Sequence, residues 1–295
     1  MSRNWNRAYR LVAGVAGTGF EIGSVLESGR AIHIKFELEK TDVTSNNTGT
    51  ISIWNLNDQH VSILEQKDCM VELHAGYGAS LPLIFCGNVT NPETEMEGAD
   101  RKTDIDVVDG RIAVRDTYVA MTYQGEIPVQ AIISDCIRQM GITCVYSPGV
   151  IATIRQIKLP NGYAYAGAAA NCLTQLCGLC GYQWSIQNGV AQILVPGEPI
   201  TTQAYILDES TGLISVPKRI VIGSESKKEG EEKKTQYGYE VEYFLNGAIN
   251  VNDMVQLQSR NVSGFFRVKN LKIRGDNLEG DWTCTAQLLE VTAAT

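Results

Sequence analysis

The sequence predicts a mainly β chain of the α+β class, with two antiparallel β-rich regions flanking a small α/β module. Three observations carry this. Residues 31–40 and 50–54 alternate apolar and polar side chains, the period of a half-buried strand. Residues 129–140 instead place apolar side chains at 129, 132, 133, 136, 137 and 140, one face of a helix. The last third, from about residue 201, returns to short apolar runs bounded by glycine, asparagine and aspartate.

Taken in order, residues 9–13 and 31–40 are strands. The second puts Ile32, Ile34, Phe36 and Leu38 inward and His33, Lys35, Glu37 and Glu39 outward, as in a sheet with one solvated face. Residues 42–49 form a polar, turn-rich connection. Beyond the strand at 50–54, Asn57 is an N-cap for a short helix with Val61 and Leu64 on one side. Strands follow at 69–75, 83–89 and 103–108. Gly76 and Gly78 bracket Tyr77 at a turn, and residues 91–102, rich in Pro, Glu and Gly, make an exposed hairpin or loop. This many strands with one apolar face suggest closure into a barrel or sandwich.

Composition changes after Asp109. The helix at 129–140 stops at Gly141 and a strand follows at 142–146. Residues 164–178, Ala-rich with Leu173, Leu176 and Cys177 on one side, are expected to form a second helix. Strands at 182–186 and 190–195 are joined by Asn188-Gly189, a pair suited to a tight two-residue turn. Strands at 219–222, 239–245, 254–258, 264–273 and 282–291 make up the last third. Residues 224–236, of mixed charge and without an apolar anchor, are expected to be a mobile surface loop, or else a contact with a neighbouring protein. No internal sequence repeat is found. The implied division is 1–120, 121–200 and 201–295.

The order of several strings resembles the baseplate hub proteins of contractile-tailed bacteriophages and related contractile injection systems, the tail hub or late control protein D-like family. In the first region these are ISIWNL (51–56), LHAGY (73–77), IFCG (84–87) and Val108-Asp109-Gly110. In the last they are TGLISVP (211–217), YFLNGAINVNDMVQL (243–257), GFFRVKNLKIRGD (264–276) and GDWTCTAQL (280–288). The resemblance implies two tail-tube-like β-barrel domains separated by the α/β module. It further implies a homotrimeric ring joining a six-fold tail tube to a three-fold central spike around the DNA channel. Its partners would be the tube protein, the spike protein, other baseplate proteins and the tape measure protein. The chain would be made in the bacterial cytoplasm, reside in the virion tail baseplate and serve genome ejection.

The 295 residues suffice for a sizeable core, with 44% hydrophobic and 20% charged residues. A net charge of −8 disfavours sequence-independent nucleic-acid binding and anionic membrane surfaces. No apolar run approaches the length of a membrane span. The N-terminus, basic but followed by a small, glycine-broken stretch to Gly23, does not read as a secretory signal. Cys69, Cys86, Cys136, Cys144, Cys172, Cys177, Cys180 and Cys284 are scattered. The Cys177–Cys180 CxxC lacks a second pair or a histidine partner, so buried free thiols are expected rather than zinc or redox chemistry.

His33, His60 and His74 fit no metal-ligand spacing, and neither a nucleophile elbow nor a phosphate loop occurs. Glu93, Glu95, Glu97 and Asp100 fall in the exposed hairpin, away from the rigid cleft that paired catalytic carboxylates need. Asp104 and Asp106, with Asp109 beyond, suit a cation or a solvated sheet face equally. No catalytic, cofactor or metal residue is assigned, and a structural protein is expected. The alternatives are a hub-associated tail-tip peptidoglycan hydrolase or peptidase, and a host-recognition module.

Overall fold

A computed structural model of the chain describes residues 6–24, 31–44, 46–225 and 234–291. The first region contains β1 (Arg7–Val15), β2 (Thr18–Gly23), β3 (Ile34–Thr41), β4 (Thr48–Trp54), α1 (Asp58–Leu64), β5 (Met70–Tyr77), β6 (Leu83–Glu97) and β7 (Asp100–Val108). The middle contains α2 (Arg111–Arg115), β8 (Tyr118–Tyr123), β9 (Ile127–Pro128), α3 (Val129–Met140), β10 (Thr143–Tyr146), α4 (Pro148–Thr153), β11 (Lys158–Leu159), β12 (Tyr163–Ala168), α5 (Ala169–Leu179), β13 (Gln183–Gln187) and β14 (Val190–Leu194). The last region contains β15 (Ala204–Leu207), β16 (Lys218–Glu225), β17 (Lys234–Phe244), β18 (Met254–Gln258), β19 (Ser263–Asp276) and β20 (Trp282–Glu290). The chain is thus mainly β and antiparallel, the parallel ladders among the described residues being β10–β14 and β15–β18.

Both outer regions share one sheet of 13 strands, in the order β16-β17-β20-β19-β3-β4-β7-β6-β5-β1-β2, with β15-β18 branching from β19. Among the described residues no ladder returns from one end of this sheet to the other. The alternation read from the sequence holds on β3, where Ile34, Phe36 and Leu38 are buried and Lys35, Glu37 and Glu39 exposed. One apolar cluster runs across both regions, from Tyr9 and Leu11 through Phe36, Ile51 and Phe85 to Tyr243, Leu271 and Leu288. The middle segment packs its own cluster, in which α3 and α5 contribute Ile132, Ile133, Cys136, Leu173 and Leu176.

The two outer regions repeat one topology. The chain runs β3-β4, connection, β5-β6-β7 in the first and β16-β17, connection, β18-β19-β20 in the second. The sheet orders are β3-β4-β7-β6-β5 and β16-β17-β20-β19-β18. The details coincide. Each long strand has a bulge at the same place, between Val89 and Asn91 on β6 and between Val268 and Asn270 on β19. Beside the bulge, the amide of Val89 donates to the Cys69 carbonyl and that of Val268 to the Asp253 carbonyl. A left-handed residue precedes the shorter strand in each, Asp68 at φ 63° and Asn252 at φ 69°. The sequence echo in this register is Met-Val-Glu-Leu at 70–73 against Met-Val-Gln-Leu at 254–257, too short to stand out unaided.

The repeats are stitched edge to edge. Residues 263–267 of β19 pair with β18, whereas residues 270–276 pair with β3, setting Lys272 opposite Glu39, Arg274 opposite Glu37 and Gly275 opposite Phe36.

Other expectations meet the structure element by element. Asn57 caps α1 by accepting from the His60 amide, and α3 spans residues 129–140 with Gly141 left-handed behind it (φ 69°). Asn188 and Gly189 both take positive φ in the β13–β14 turn, as its tight hairpin requires. The helix expected from residue 164 begins at Ala169. Residues 163–168 form β12 against β8, because Tyr163 and Tyr165 alternate with small residues and the ladder recruits them before a helix can start. The glycine-broken stretch before Gly23 forms the β1–β2 hairpin. A Cβ on Gly14 would lie 2.6 Å from the Thr18 carbonyl oxygen and 2.7 Å from the Gly19 Cα, so its missing side chain permits the approach. Residues 224–225 and 234–236, expected in the charged loop, belong to β16 and β17, and residues 226–233 lie outside the described ones. No helix is long and apolar enough to cross a membrane among the described residues.

Candidate functional site

The face of the sheet opposite the core forms a polar wall through both repeats. The ladders align Phe244, Thr283, Arg274, Glu37, Thr50, Asp106 and Asn91 in one row, and Glu242, Thr285, Lys272, Glu39 and Thr48 in the next. Across the β3–β19 seam, Lys272 Nζ lies 2.5 Å from Glu39 Oε1 and Arg274 Nη2 lies 2.8 Å from Glu37 Oε1. Asp106 accepts from the Thr50 hydroxyl at 2.9 Å, and Asp104 from Ser52 Oγ at 2.5 Å. Asp104 also pairs with Lys102 at 2.8 Å. Asp104 and Asp106 therefore sit in a cross-strand polar ladder. Glu93, Glu95 and Glu97 extend the wall along the β6 arm, the exposed hairpin expected there, and Glu97 accepts from the Trp54 indole at 2.8 Å. Carboxylates outnumber cations on this wall.

Asp109 takes a different role. It is fully buried and accepts from the backbone amides of Asn188 (2.6 Å) and Gly189 (2.8 Å), gripping the β13–β14 turn of the middle module. Asn47 beside it donates to the Ile186 carbonyl at 2.9 Å and to Gln187 Oε1 at 3.0 Å, while Gln187 donates to the Thr41 carbonyl at 2.7 Å. Lys40 is likewise buried and donates to the Ile84 carbonyl at 2.8 Å and to Asn250 Oδ1 at 3.0 Å, linking the two repeats. Arg267 reaches Asp42 at 2.8 Å and Asn252 Oδ1 at 2.6 Å, and Asn252 in turn donates to Gln192 of the module at 2.8 Å. All three parts of the chain meet in this buried polar junction.

Burial dominates the ionisation there. It lowers the Lys40 ammonium to about 8, against the opposing pull of Asp109 and Asp253. It raises Asp253 to about 6, and pushes Asp109 up against Lys40 and the two turn amides that favour its charged form. Sequence reasoning missed Lys40, Asp42, Asn47 and Arg267. Each belongs by type to a solvated surface, and their partners lie up to 225 residues away. Only the parity of β3, which puts residue 40 on the same face as 34, 36 and 38, could have flagged the lysine.

The histidines are apart from one another. His33 stacks on Trp54 at 3.9 Å and meets Asp276 at 3.0 Å, His60 stacks on Phe20, and His74 Nδ1 lies 3.1 Å from the Leu81 carbonyl oxygen. The eight cysteines are free thiols, with Cys144 and Cys180 partly exposed and the others buried. Cys136 and Cys172 face each other in the module core, where Tyr163 OH lies 3.5 Å from Cys172 Sγ. Among the described residues no three His, Cys, Asp or Glu side chains gather as metal ligands. The crevice between the β5 turn and the end of β17, lined by Tyr77, Ser80, Pro82, Phe244 and Asn246, brings together no carboxylate, histidine or thiol.

No family model matches the sequence, and no curated protein is significantly similar to it. Solved structures are similar in fold. The 43 kDa tail protein of prophage MuSo2 from Shewanella oneidensis aligns with a TM-score of 0.63 at 7% identity, over 95% of this chain and 96% of that one. A tail protein from Neisseria meningitidis MC58 aligns with a TM-score of 0.62 at 8% identity, over 96% of each chain. The E. coli c3393 protein, described as a type VI secretion component structurally similar to the T4 bacteriophage tail proteins gp27 and gp5, aligns at 0.57 and 10%, over 89% of this chain and 74% of that one. The chain has the fold of these phage-tail and injection-system proteins, in keeping with the resemblance to baseplate hubs carried by its sequence.

Proposed function

We propose that the chain is a structural, non-catalytic component of a phage tail: the baseplate hub, acting as a homotrimeric ring between the six-fold tail tube and the three-fold central spike. The observation that carries this reading is the duplicated β unit. A chain with two pseudo-equivalent units on one sheet presents six of them when three copies close, so one face offers six-fold and the other three-fold symmetry. In this reading residues 1–120 and 201–295 are tube-like barrel units and residues 121–200 a module set beside them. The polar wall common to both repeats faces the DNA channel, where its excess of carboxylates keeps the phosphate backbone from sticking. The tube protein, the spike, other baseplate proteins and the tape measure protein are the partners. The chain is made in the host cytoplasm, resides in the virion baseplate and serves genome ejection.

The test is a reconstruction of the assembled baseplate. Three copies around an open channel are expected, and six copies per ring overturn the reading. The rival, a tail-tip peptidoglycan hydrolase or peptidase, is checked by zymography of the purified chain, where a cleared band would unseat the structural assignment.

A further inference from the structure

Within the chain, residues 270–276 of β19 receive β3 along one edge while β20 occupies the other. The repeat assigns β6 the place of β19 and β16 the place of β3. Residues 91–97 of β6 pair with β7 on one side, and on the other side no strand pairs with them among the described residues. The outward edge of β16 has no strand partner among the described residues either. One half of each repeat's junction is thus used in the chain, and the complementary halves stand open.

We infer that β16 of one copy pairs antiparallel with residues 91–97 of β6 in a second copy, reproducing the β3–β19 seam. This rests on the trimeric reading above and names the surface that builds it. The shared bulge fixes the register. Asn91 and Asn270 both follow it, which makes Glu95 the counterpart of Arg274. Glu37 lies in the ladder row of Thr50, Asp106 and Asn91, as Lys218 lies in the row of Glu240, Gln287 and Asn270, which makes Lys218 the counterpart of Glu37. The intrachain pair Glu37–Arg274 therefore becomes Lys218–Glu95 between copies, with its charges reversed. One position along, Phe36 against Gly275 becomes Pro217 against Met96, and Lys40 against Leu271 becomes Val221 against Pro92.

Both edges carry the features such a contact needs. Met96 and Val221 are 67% and 62% exposed in the single chain, and the pairing sets each against a proline. Pro92 has no amide hydrogen to offer the incoming strand, so the ladder forgoes one hydrogen bond there and rests on its neighbours. The β6 edge carries Glu93, Glu95 and Glu97, and the β16 edge carries Lys218 and Arg219, so the two attract one another while each repels its own kind. The wrong combinations are disfavoured in the same way. Pairing β3 with β6 opposes Glu37 to Glu95, and pairing β16 with β19 opposes Lys218 to Arg274. Pairing of unlike edges is heterologous, and it closes without a free edge only as a ring.

The test introduces cysteines at the predicted contact in the full chain. Under mild oxidation at millimolar protein, Glu95→Cys/Lys218→Cys is expected to give intermolecular cross-links that end at the trimer. Glu37→Cys/Arg274→Cys should cross-link within one chain without a change in mass, showing that the geometry permits the bond. The off-register pair Glu93→Cys/Lys218→Cys and the unmodified chain should give none. Lys218→Glu alone should weaken association about two- to five-fold per junction, as expected for an exposed ion pair, and Glu95→Lys in the same chain should restore it. A trimer without the 95–218 cross-link overturns the pairing and leaves the trimer standing. A 95–218 cross-link in rings of another size upholds the pairing and overturns the trimer. A chain that stays monomeric at millimolar concentration, or cross-links equally off register, overturns the inference.

Discussion

Lys40 and Asp253 share a buried site at the seam, and each carries a charge that burial opposes. Asn250 lies between them, accepting from Lys40 Nζ at 3.0 Å and donating its amide to Asp253 at 2.8 Å. Lys40→Ala takes the buried donor from the Ile84 carbonyl and Asn250 Oδ1 and is expected to cost about 1–3 kcal/mol, the range for buried acceptors left unsatisfied, read as a shift in the denaturation midpoint. The pH dependence has a definite sign. A carboxyl raised to about 6 in the folded chain binds more protons there than in the unfolded chain, so its contribution falls as pH rises from about 4 to 6. A lysine lowered to about 8 binds fewer, so stability recovers as pH climbs from about 8 towards its unfolded value. Asp253→Asn keeps an oxygen for the Asn250 amide, which Asp253 accepts at 2.8 Å. The variant should therefore gain on the unmodified chain between about pH 4 and 6, by up to about 3 kcal/mol. Urea melts at pH 4, 5 and 6 measure that difference, and parallel midpoints for the two proteins would show that Asp253 is not strained.

At the scale of elements, what was legible in the sequence followed the range of the forces. The N-cap of α1, the face of α3, its glycine stop and the Asn188-Gly189 turn are decided by neighbours a few residues away, and all were read correctly. Residues 164–168 depart from the expected helix because alanine favours a helix locally, whereas a ladder with β8, distant in sequence, claims them as strand. The polar junction was illegible for a similar reason: Asp42 and Arg267 announce a wet surface until the fold brings them together. The Asn188-Gly189 turn combines both ranges, since its shape is local but its anchor is Asp109. Asp109→Asn retains one acceptor oxygen for two amides and places a donor against the other. A loss of about 1–3 kcal/mol is expected, with faster hydrogen exchange at Asn188 and Gly189 than elsewhere in the β13–β14 hairpin. Uniform exchange across the hairpin would show that the carboxylate does not hold the turn.

For the whole molecule, the seam between repeats decides whether the two β units behave as one body. Their apolar cores are continuous across β3 and β19, so the units should melt together. The tightest point of that seam is Gly275, opposite Phe36. A Cβ there would lie 2.1 Å from the Phe36 ring, which is buried and packed edge-on to Trp282 at 5.4 Å, and so has little room to retreat. Gly275→Ala should therefore force the strands apart and cost about 1–3 kcal/mol, the range for overpacking a filled core. Because this lies in the seam rather than within one repeat, protection against hydrogen exchange should fall on β3 and β19 together, while α3 and α5 of the module keep theirs. The companion variant Phe36→Leu with Gly275→Ala removes the ring the new methyl meets, and it should recover part of the loss if steric conflict is the cause. If Gly275→Ala instead destabilises β19 and β20 while β3 keeps its protection, the repeats are coupled only through their covalent chain and the seam is a contact without cooperative consequence.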